Sequence, residues 1–266
     1  MSGDPTVSVV IPCYNEEANL RQGVLACVAS FVERTPYCRE VLVVDDGSRD
    51  ASAEMVAAFA AAHSRLRLLR EPHRGKAGAI VAGVSAAEGD WVLFCDMDQA
   101  TPIDELARLR PHMLDACDVV VGSRAGRREG APLVRRLMAR GYILLRRLIL
   151  DLGPVTDSQC GFKAFRREAI QRICQSLVVY RPSIQQARGA TVTAAFDAEL
   201  LFLARRLGYD IREVPVRWHH VGTRRVHPVL ESWRAIRGLL RIRRNALRGK
   251  YPDNVGGWRG ASGPGL

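Results

Sequence analysis

The stretch Trp91-Val92-Leu93-Phe94-Cys95-Asp96-Met97-Asp98-Gln99 decides how the chain is read. Its unbroken apolar run follows the turn pair Gly89-Asp90, as a strand buried on both faces does. The run ends in two carboxylates one residue apart, ahead of Ala100-Thr101-Pro102. Residues i and i+2 of an extended chain share one side, so Asp96 and Asp98 are expected to face a single point past the strand end. Such a pair suits a hard divalent cation, Mg²⁺ or Mn²⁺, held by one or two carboxylates together with phosphate oxygens. An isolated Asp-x-Asp is also a common opening of a solvated turn. The neighbouring segments choose between the two readings.

Working outward, Thr6 to Pro12, Arg39 to Ser48, Leu66 to Leu69, Asp118 to Ser123, a short strand near Lys163 and Ile211 to Trp218 carry further strand signals. Helical patterns separate them, over about 17–33, 50–64, 76–88, 103–115, 133–150, 196–207 and 229–248. Strands alternating with helices predict an α/β fold whose mostly parallel sheet is covered on both faces. Such sheets bind ligands beyond the carboxyl ends of their strands. Asn15, Glu16, Asp45, Asp46, Asp96, Asp98 and Arg124 all fall at those ends, which favours a site over a chance turn. Residues 177–193 lack apolar periodicity and read as a candidate lid. Asp197 and Glu199 open a helix, where acids either complement the dipole or serve a function.

Nothing in the 266 residues approaches a membrane-spanning run, and residues 1–6 carry no signal-peptide pattern. Seven scattered cysteines without a Cys-x-x-Cys pair point to a reducing, cytoplasmic setting. The net charge of +11 is uneven: residues 124–150 carry +7 and 224–250 carry +8, which leaves −4 for the remainder. A mildly acidic body with two basic segments implies a specific anionic surface or ligand. His219-His220 has no Cys or acid at ligand spacing, and a loop role is expected rather than a zinc site.

Four segments together resemble the family 2 glycosyltransferases, whose catalytic core is the GT-A fold: Pro12-x-Tyr14-Asn15-Glu16, Val44-Asp45-Asp46-Gly47-Ser48, Asp96-x-Asp98 and Gly122-Ser123-Arg124. Asp157-Ser158-Gln159-Cys160-Gly161-Phe162-Lys163 and Phe196-Asp197-x-Glu199 narrow the likeness to the polyprenyl- and dolichyl-phosphate β-glucosyltransferase branch. The resemblance implies a GT-A domain over 1–227, with a donor half to about 123 and an acceptor half over 124–227. A basic amphipathic helix over 228–250 and a tail over 251–266 follow. It implies a nucleotide-sugar donor bound by Pro12, Tyr14, Asn15, Glu16, Asp45, Asp46, Lys76 and Asp96, and a Mg²⁺ or Mn²⁺ ion on Asp98. Gln99 departs from the Gly usual in the glucosyl branch and is expected as an added metal ligand, which leaves the sugar open between glucose from UDP-glucose and mannose from GDP-mannose.

The implied reaction is inverting hexosyl transfer to a polyprenyl- or dolichyl-type lipid phosphate at the cytoplasmic face of a membrane. The catalytic set is Asp96, Asp98, Asp157 and Arg124. Arginine matches phosphate bidentately, so Arg124, Arg135, Arg136 and Arg224 are the expected acceptor cations; for Arg135 and Arg136 a solvated helix face is the alternative. Asp157 stands at the family's usual base position and is expected to orient the acceptor or an arginine. In the last helix Arg234, Arg237, Arg241, Arg244 and Arg248 form one stripe beside a second of Val229, Trp233, Ile236 and Leu240. That pairing predicts contact with an anionic membrane surface, unless the apolar stripe packs on the body. Two other classes compete. A nucleotidyltransferase would need a Gly-rich loop after the first strand, where Cys13-Tyr14-Asn15 stands. A nucleic-acid-binding module would interleave aromatics with its basic residues, and no nucleic-acid partner is expected.

Overall fold

A computed structural model describes residues 4–115, 117–124, 141, 146–181, 194–219, 221 and 228–252. Seven strands form one sheet: β1 (Val7–Cys13), β2 (Cys38–Asp45), β3 (Leu66–Arg70), β4 (Trp91–Phe94), β5 (Val119–Ser123), β6 (Lys163–Arg166) and β7 (Ile211–Pro215). Their spatial order is β3-β2-β1-β4-β6-β5-β7. All neighbours are parallel except β6, which runs antiparallel to both β4 and β5.

Continuous apolar runs are required because the sheet is buried on both faces. Along β1, Val10 enters one core with Leu42, Val44, Ile80 and Phe165, while Val9 and Ile11 enter the other with Val41, Val43 and Leu93. The helices are α1 (Glu17–Arg21), α2 (Val24–Arg34), α3 (Ser52–Ala60), α4 (Lys76–Ala86), α5 (Leu106–Leu114, entered through a 3-10 turn at Ile103–Glu105), α6 (Arg167–Gln175), α7 (Ala194–Arg206) and α8 (Pro228–Leu247). From β1 the chain moves outward to β2 and β3, then returns to place β4 on the other side. That reversal opens a crevice at the carboxyl ends of β1 and β4.

Three expectations are corrected. The helix expected over 17–33 is two helices, because Gly23 adopts φ +83 and breaks the run. The central strand ends at Phe94, so Asp96 and Asp98 lie on a turn rather than on extended chain. Arg146, expected on a basic helix face, is 1% exposed; its Nη2 donates to the carbonyls of Val155 (2.8 Å) and Thr156 (3.3 Å). Most of the segment 133–150 in which a helix was expected, including Arg135 and Arg136, lies outside the described residues, as do Arg224 and residues 182–193 of the candidate lid over 177–193.

Candidate active site

The rim begins where β1 and β2 end side by side, with Cys13 paired to Asp45. Asn15 takes φ +53 and ties the two following loops together: its N–H donates to Ser48 Oγ (3.0 Å), and its Oδ1 accepts from Arg49 N–H (2.8 Å). Glu16 is buried, and its Oε2 accepts from Asn19 Nδ2. Asp46 is buried too, accepting from the N–H groups of Arg74 (2.7 Å) and Gly75 (2.8 Å), with His73 Nδ1 also 2.8 Å away. These three residues therefore build the rim. Tyr14 stacks on His73, ring centroids 4.1 Å apart, and leaves a half-buried aromatic platform there. Pro12 is half-buried beside it, and Asp45 accepts from Ser48 N–H. His73 is a residue that sequence reasoning missed; its only signal is its place three residues ahead of Lys76.

The acidic turn is closed by Gln99 N–H donating to the Asp96 carbonyl (3.2 Å). Gln99 sits at φ +49, a conformation in which glycine carries no penalty and other residues are uncommon. Its amide staples the turn: Nε2 donates to the Asp96 carbonyl (3.0 Å), and Oε1 accepts from Ile103 N–H (3.0 Å). The side chain expected as an added metal ligand thus also holds the loop in shape. Asp96 Oδ1 accepts from Lys76 Nζ at 2.6 Å, and Asp98 Oδ1 accepts from Ala100 N–H at 3.1 Å. Although they leave the strand as a turn, both carboxylates line one cavity of about 150 Å³, with Arg124, Gln159, Gly161 and Trp218.

Arg124, which lines the same cavity, is held in an ion pair. Arg124 donates from Nε and Nη2 to the two oxygens of Asp157, each at 2.6 Å, and its backbone N–H adds a third bond at 3.1 Å. Burial alone would raise the Asp157 pKa, but the bonds and charge of Arg124 outweigh it and hold the carboxyl below its usual range. The same pairing overcomes burial at Arg124 and raises its pKa. Asp157 thus stays an ionised partner of an arginine, poorly suited to proton abstraction near neutral pH. Glu213 fixes the loop by accepting from the N–H groups of Thr156 and Asp157. Lys163, fully buried, holds the Cys160 carbonyl and bonds Asp197 at 2.7 Å, so Asp197 pairs a cation rather than capping a helix. Trp218 lies 5.8 Å from the Arg124 guanidinium, and His219 N–H donates to the Ala100 carbonyl (2.8 Å), bringing the loop after β7 against the acidic turn.

Gly161 lines the same cavity. A Cβ there would fall 2.7 Å from Asp96 Cγ and closer still to Oδ2, which no real side chain tolerates. Gly161→Ala is therefore expected to swing Asp96 off Lys76 and lower transfer by roughly 10–100-fold, the scale of misplacing a positioned group by an ångström. A double-mutant cycle checks this: in an Asp96→Ala background, Gly161→Ala should change donor affinity no further. Additive losses would mean the glycine acts elsewhere.

The chemistry of the donor set fits a divalent cation. Two carboxylates face one cavity, and among the described residues no group of three or more His, Cys, Asp or Glu forms a closed site. Hard cations of the Mg²⁺ type complete such partial shells with substrate phosphate oxygens and water.

Comparison with known proteins identifies the family and the fold. The profile described as Glycosyl transferase family 2 matches residues 8–174. The dolichyl-phosphate beta-glucosyltransferases of Dictyostelium discoideum and Drosophila melanogaster are 30% and 32% identical, covering 91% and 96% of this chain and 75% and 78% of their own lengths. Among solved structures, glucosyl-3-phosphoglycerate synthase from Mycobacterium tuberculosis in complex with Mn²⁺, UDP-glucose and phosphoglyceric acid superposes with a TM-score of 0.59 at 25% identity. The match covers 90% of this chain and 80% of that one. Mannosyl-3-phosphoglycerate synthase from Rubrobacter xylanophilus matches in fold, with a TM-score of 0.65 at 20% identity over 93% of this chain and 76% of its own.

Proposed function

Because the chain belongs to glycosyl transferase family 2, we propose that it transfers glucose from UDP-glucose, with inversion, to a polyprenyl- or dolichyl-type lipid phosphate. The observation that carries this reading is the single cavity lined by Asp96, Asp98 and an Arg124 that Asp157 holds in place. Carboxylates suited to a cation-bound diphosphate and an arginine suited to a second phosphate line one small space. The glucosyl assignment follows the relatives named above. The one residue that favoured a mannosyl donor, Gln99, has a conformational task that accounts for its identity as well.

In this reading an acceptor phosphate oxygen attacks the anomeric carbon while that carbon's bond to the diphosphate breaks. A Mg²⁺ or Mn²⁺ ion bound at Asp98, with Asp96 nearby, would supply charge neutralisation for the departing diphosphate. Lys76 at the start of α4 fixes Asp96 and adds positive charge beside it. Tyr14, Pro12 and Asp45 offer the base and ribose a platform and a buried acceptor, while Asn15, Glu16 and Asp46 hold that platform in shape. The acceptor is a phosphate monoester with a second pKa of about 6, largely ionised at neutral pH, so it needs orientation more than deprotonation. Arg124, locked by Asp157, provides that orientation at low conformational cost. The work would take place at the cytoplasmic face of a membrane, a setting that suits seven free thiols.

The test pairs two measurements. UDP-glucose with Mn²⁺ should raise the melting temperature by mass action, and a short polyprenyl phosphate should accept the hexose. Arg124→Ala should reduce transfer by roughly 10²-fold or more, the scale of losing one positioned charge-stabilising donor, and change donor affinity far less. Stabilisation by GDP-mannose in place of UDP-glucose would move the assignment to a mannosyl donor. Equal losses of transfer and donor affinity in Arg124→Ala would place that residue in the donor site.

A further inference from the structure

The packing of α8 settles which of its faces meets the body. Ala235, Leu239, Ile242 and Asn245 are buried, and Gly238 lies so close to Ala195 of α7 and to the Tyr180 hydroxyl that no side chain fits there. At about 100° per residue these positions share one side of the helix. Trp233, Leu240 and Leu247 lie on the opposite side and are 59%, 52% and 73% exposed. They recur every seven residues, within an arc of about 40°. Arg244, Arg237, Arg248, Arg241 and Arg234 follow in the adjacent arc, all exposed. The core is thus met by a third stripe, of Ala235, Gly238, Leu239, Ile242 and Asn245, and the outer half of α8 is apolar on one flank and basic on the other.

We propose that this outer face of α8 is a docking surface for a bilayer containing anionic lipid, and that it brings the lipid phosphate to the cavity between Asp98 and Arg124. The purpose rests on the acceptor proposed above; the binding itself does not. Large apolar side chains arranged as a contiguous strip mark an interaction surface. Tryptophan favours the headgroup level of a bilayer and leucine the acyl boundary, while arginines beside them reach lipid phosphates. Charge argues against a second copy of the chain as the occupant. Residues 224–250 carry +8, and an isologous contact would set that charge against itself. An anionic bilayer satisfies both flanks at once.

The experiment uses the full chain, without donor or acceptor, in flotation with vesicles of phosphatidylcholine alone and with phosphatidylglycerol added, at low and high salt. Wild type should float with the anionic vesicles and be weakened by salt. Arg237→Glu with Arg244→Glu should lower binding on the order of tenfold or more. Trp233→Ser with Leu240→Ser and Leu247→Ser should abolish the part that survives high salt. All three substituted positions are exposed, and unchanged melting temperatures verify that the variants are folded. The apolar triple variant should also lose transfer to a long-chain lipid phosphate embedded in vesicles while keeping transfer to a short, water-soluble prenyl phosphate. Absence of wild-type binding, or equal binding by all variants, overturns the proposal. So does a wild-type dimer that the triple variant converts to monomer, since the face would then join two copies. Vesicle binding without any hexosyl transfer would instead refute the proposed function and leave the docking surface standing.

Discussion

Asp98→Ala is expected to lower transfer by at least roughly 10³-fold, the upper range for removing a group that stabilises developing charge, while the protein remains folded. The two consequences separate because of where the residue sits. Asp98 lies past the end of β4 on a turn, and its bond to Ala100 N–H is worth about 1 kcal/mol to the fold. Its carboxylate faces the cavity, where a donor diphosphate and its cation need a hard oxygen ligand. Without it the diphosphate loses its cation and becomes a poor leaving group. The check is the melting temperature with and without UDP-glucose and Mn²⁺, alongside turnover. The variant should melt near wild type alone and gain little from the ligands. A variant that binds donor and turns over normally without added metal would show that the acidic turn does not carry the cation.

Glu199→Ala should destabilise the fold by about 3–5 kcal/mol, since several buried donors lose their acceptor at roughly 1–3 kcal/mol for each one left unsatisfied. Glu199 is fully buried on α7, and its carboxylate accepts from the N–H groups of Val178 (3.0 Å), Val179 (2.8 Å) and Tyr180 (2.9 Å). The Tyr251 hydroxyl, just past the end of α8, donates to the same carboxylate at 2.5 Å. One side chain therefore fastens the segment after α6 and the exit of α8 to α7. For a chain of this size each kcal/mol moves the melting temperature by about 2–4 °C, so a fall of roughly 6–20 °C is expected. Tyr251→Phe removes one donor and should cost about 1.5–3 kcal/mol. Urea unfolding of both variants checks the ordering, and a midpoint for Glu199→Ala equal to wild type would rule the clasp out.

Much of this architecture was legible in residue order. The strands β1, β2, β4 and β5 announced themselves as apolar runs between turn residues, because the middle of a sheet covered on both faces leaves little room for polar alternation, whereas β3, β6 and β7 carry charged residues among their apolar ones. The rim was legible for the same reason: Asn15, Asp45, Asp46, Asp96 and Asp98 interrupt apolar strands where the chain must leave the core. Division of labour at that rim was not. Asn15, Glu16 and Asp46 bind neighbouring backbone and side chains and shape the loops, and nothing in their spacing separates them from residues that face a ligand. Gln99 shows the limit most plainly. Its identity invited a metal-ligand reading, and only its φ of +49 and its two amide bonds reveal that it is also a staple of the turn.

By itself the sequence determined the α/β class, the family, the acidic strand end and the two stripes of α8, since each is a local pattern of residue type and period. Only tertiary structure decided the rest. The antiparallel direction of β6 depends on where a distant segment slots between β4 and β5. The Arg124–Asp157 and Lys163–Asp197 pairs join residues more than thirty apart in sequence. The fit of Gly161 against Asp96 brings together two loops that share no local pattern. The outward aim of Trp233, Leu240 and Leu247 was likewise a tertiary outcome. Besides the stripe with Trp233 the helix offers Ala235, Gly238, Leu239 and Ile242, either face can be buried, and here the close approach of α7 admits only the one containing Gly238.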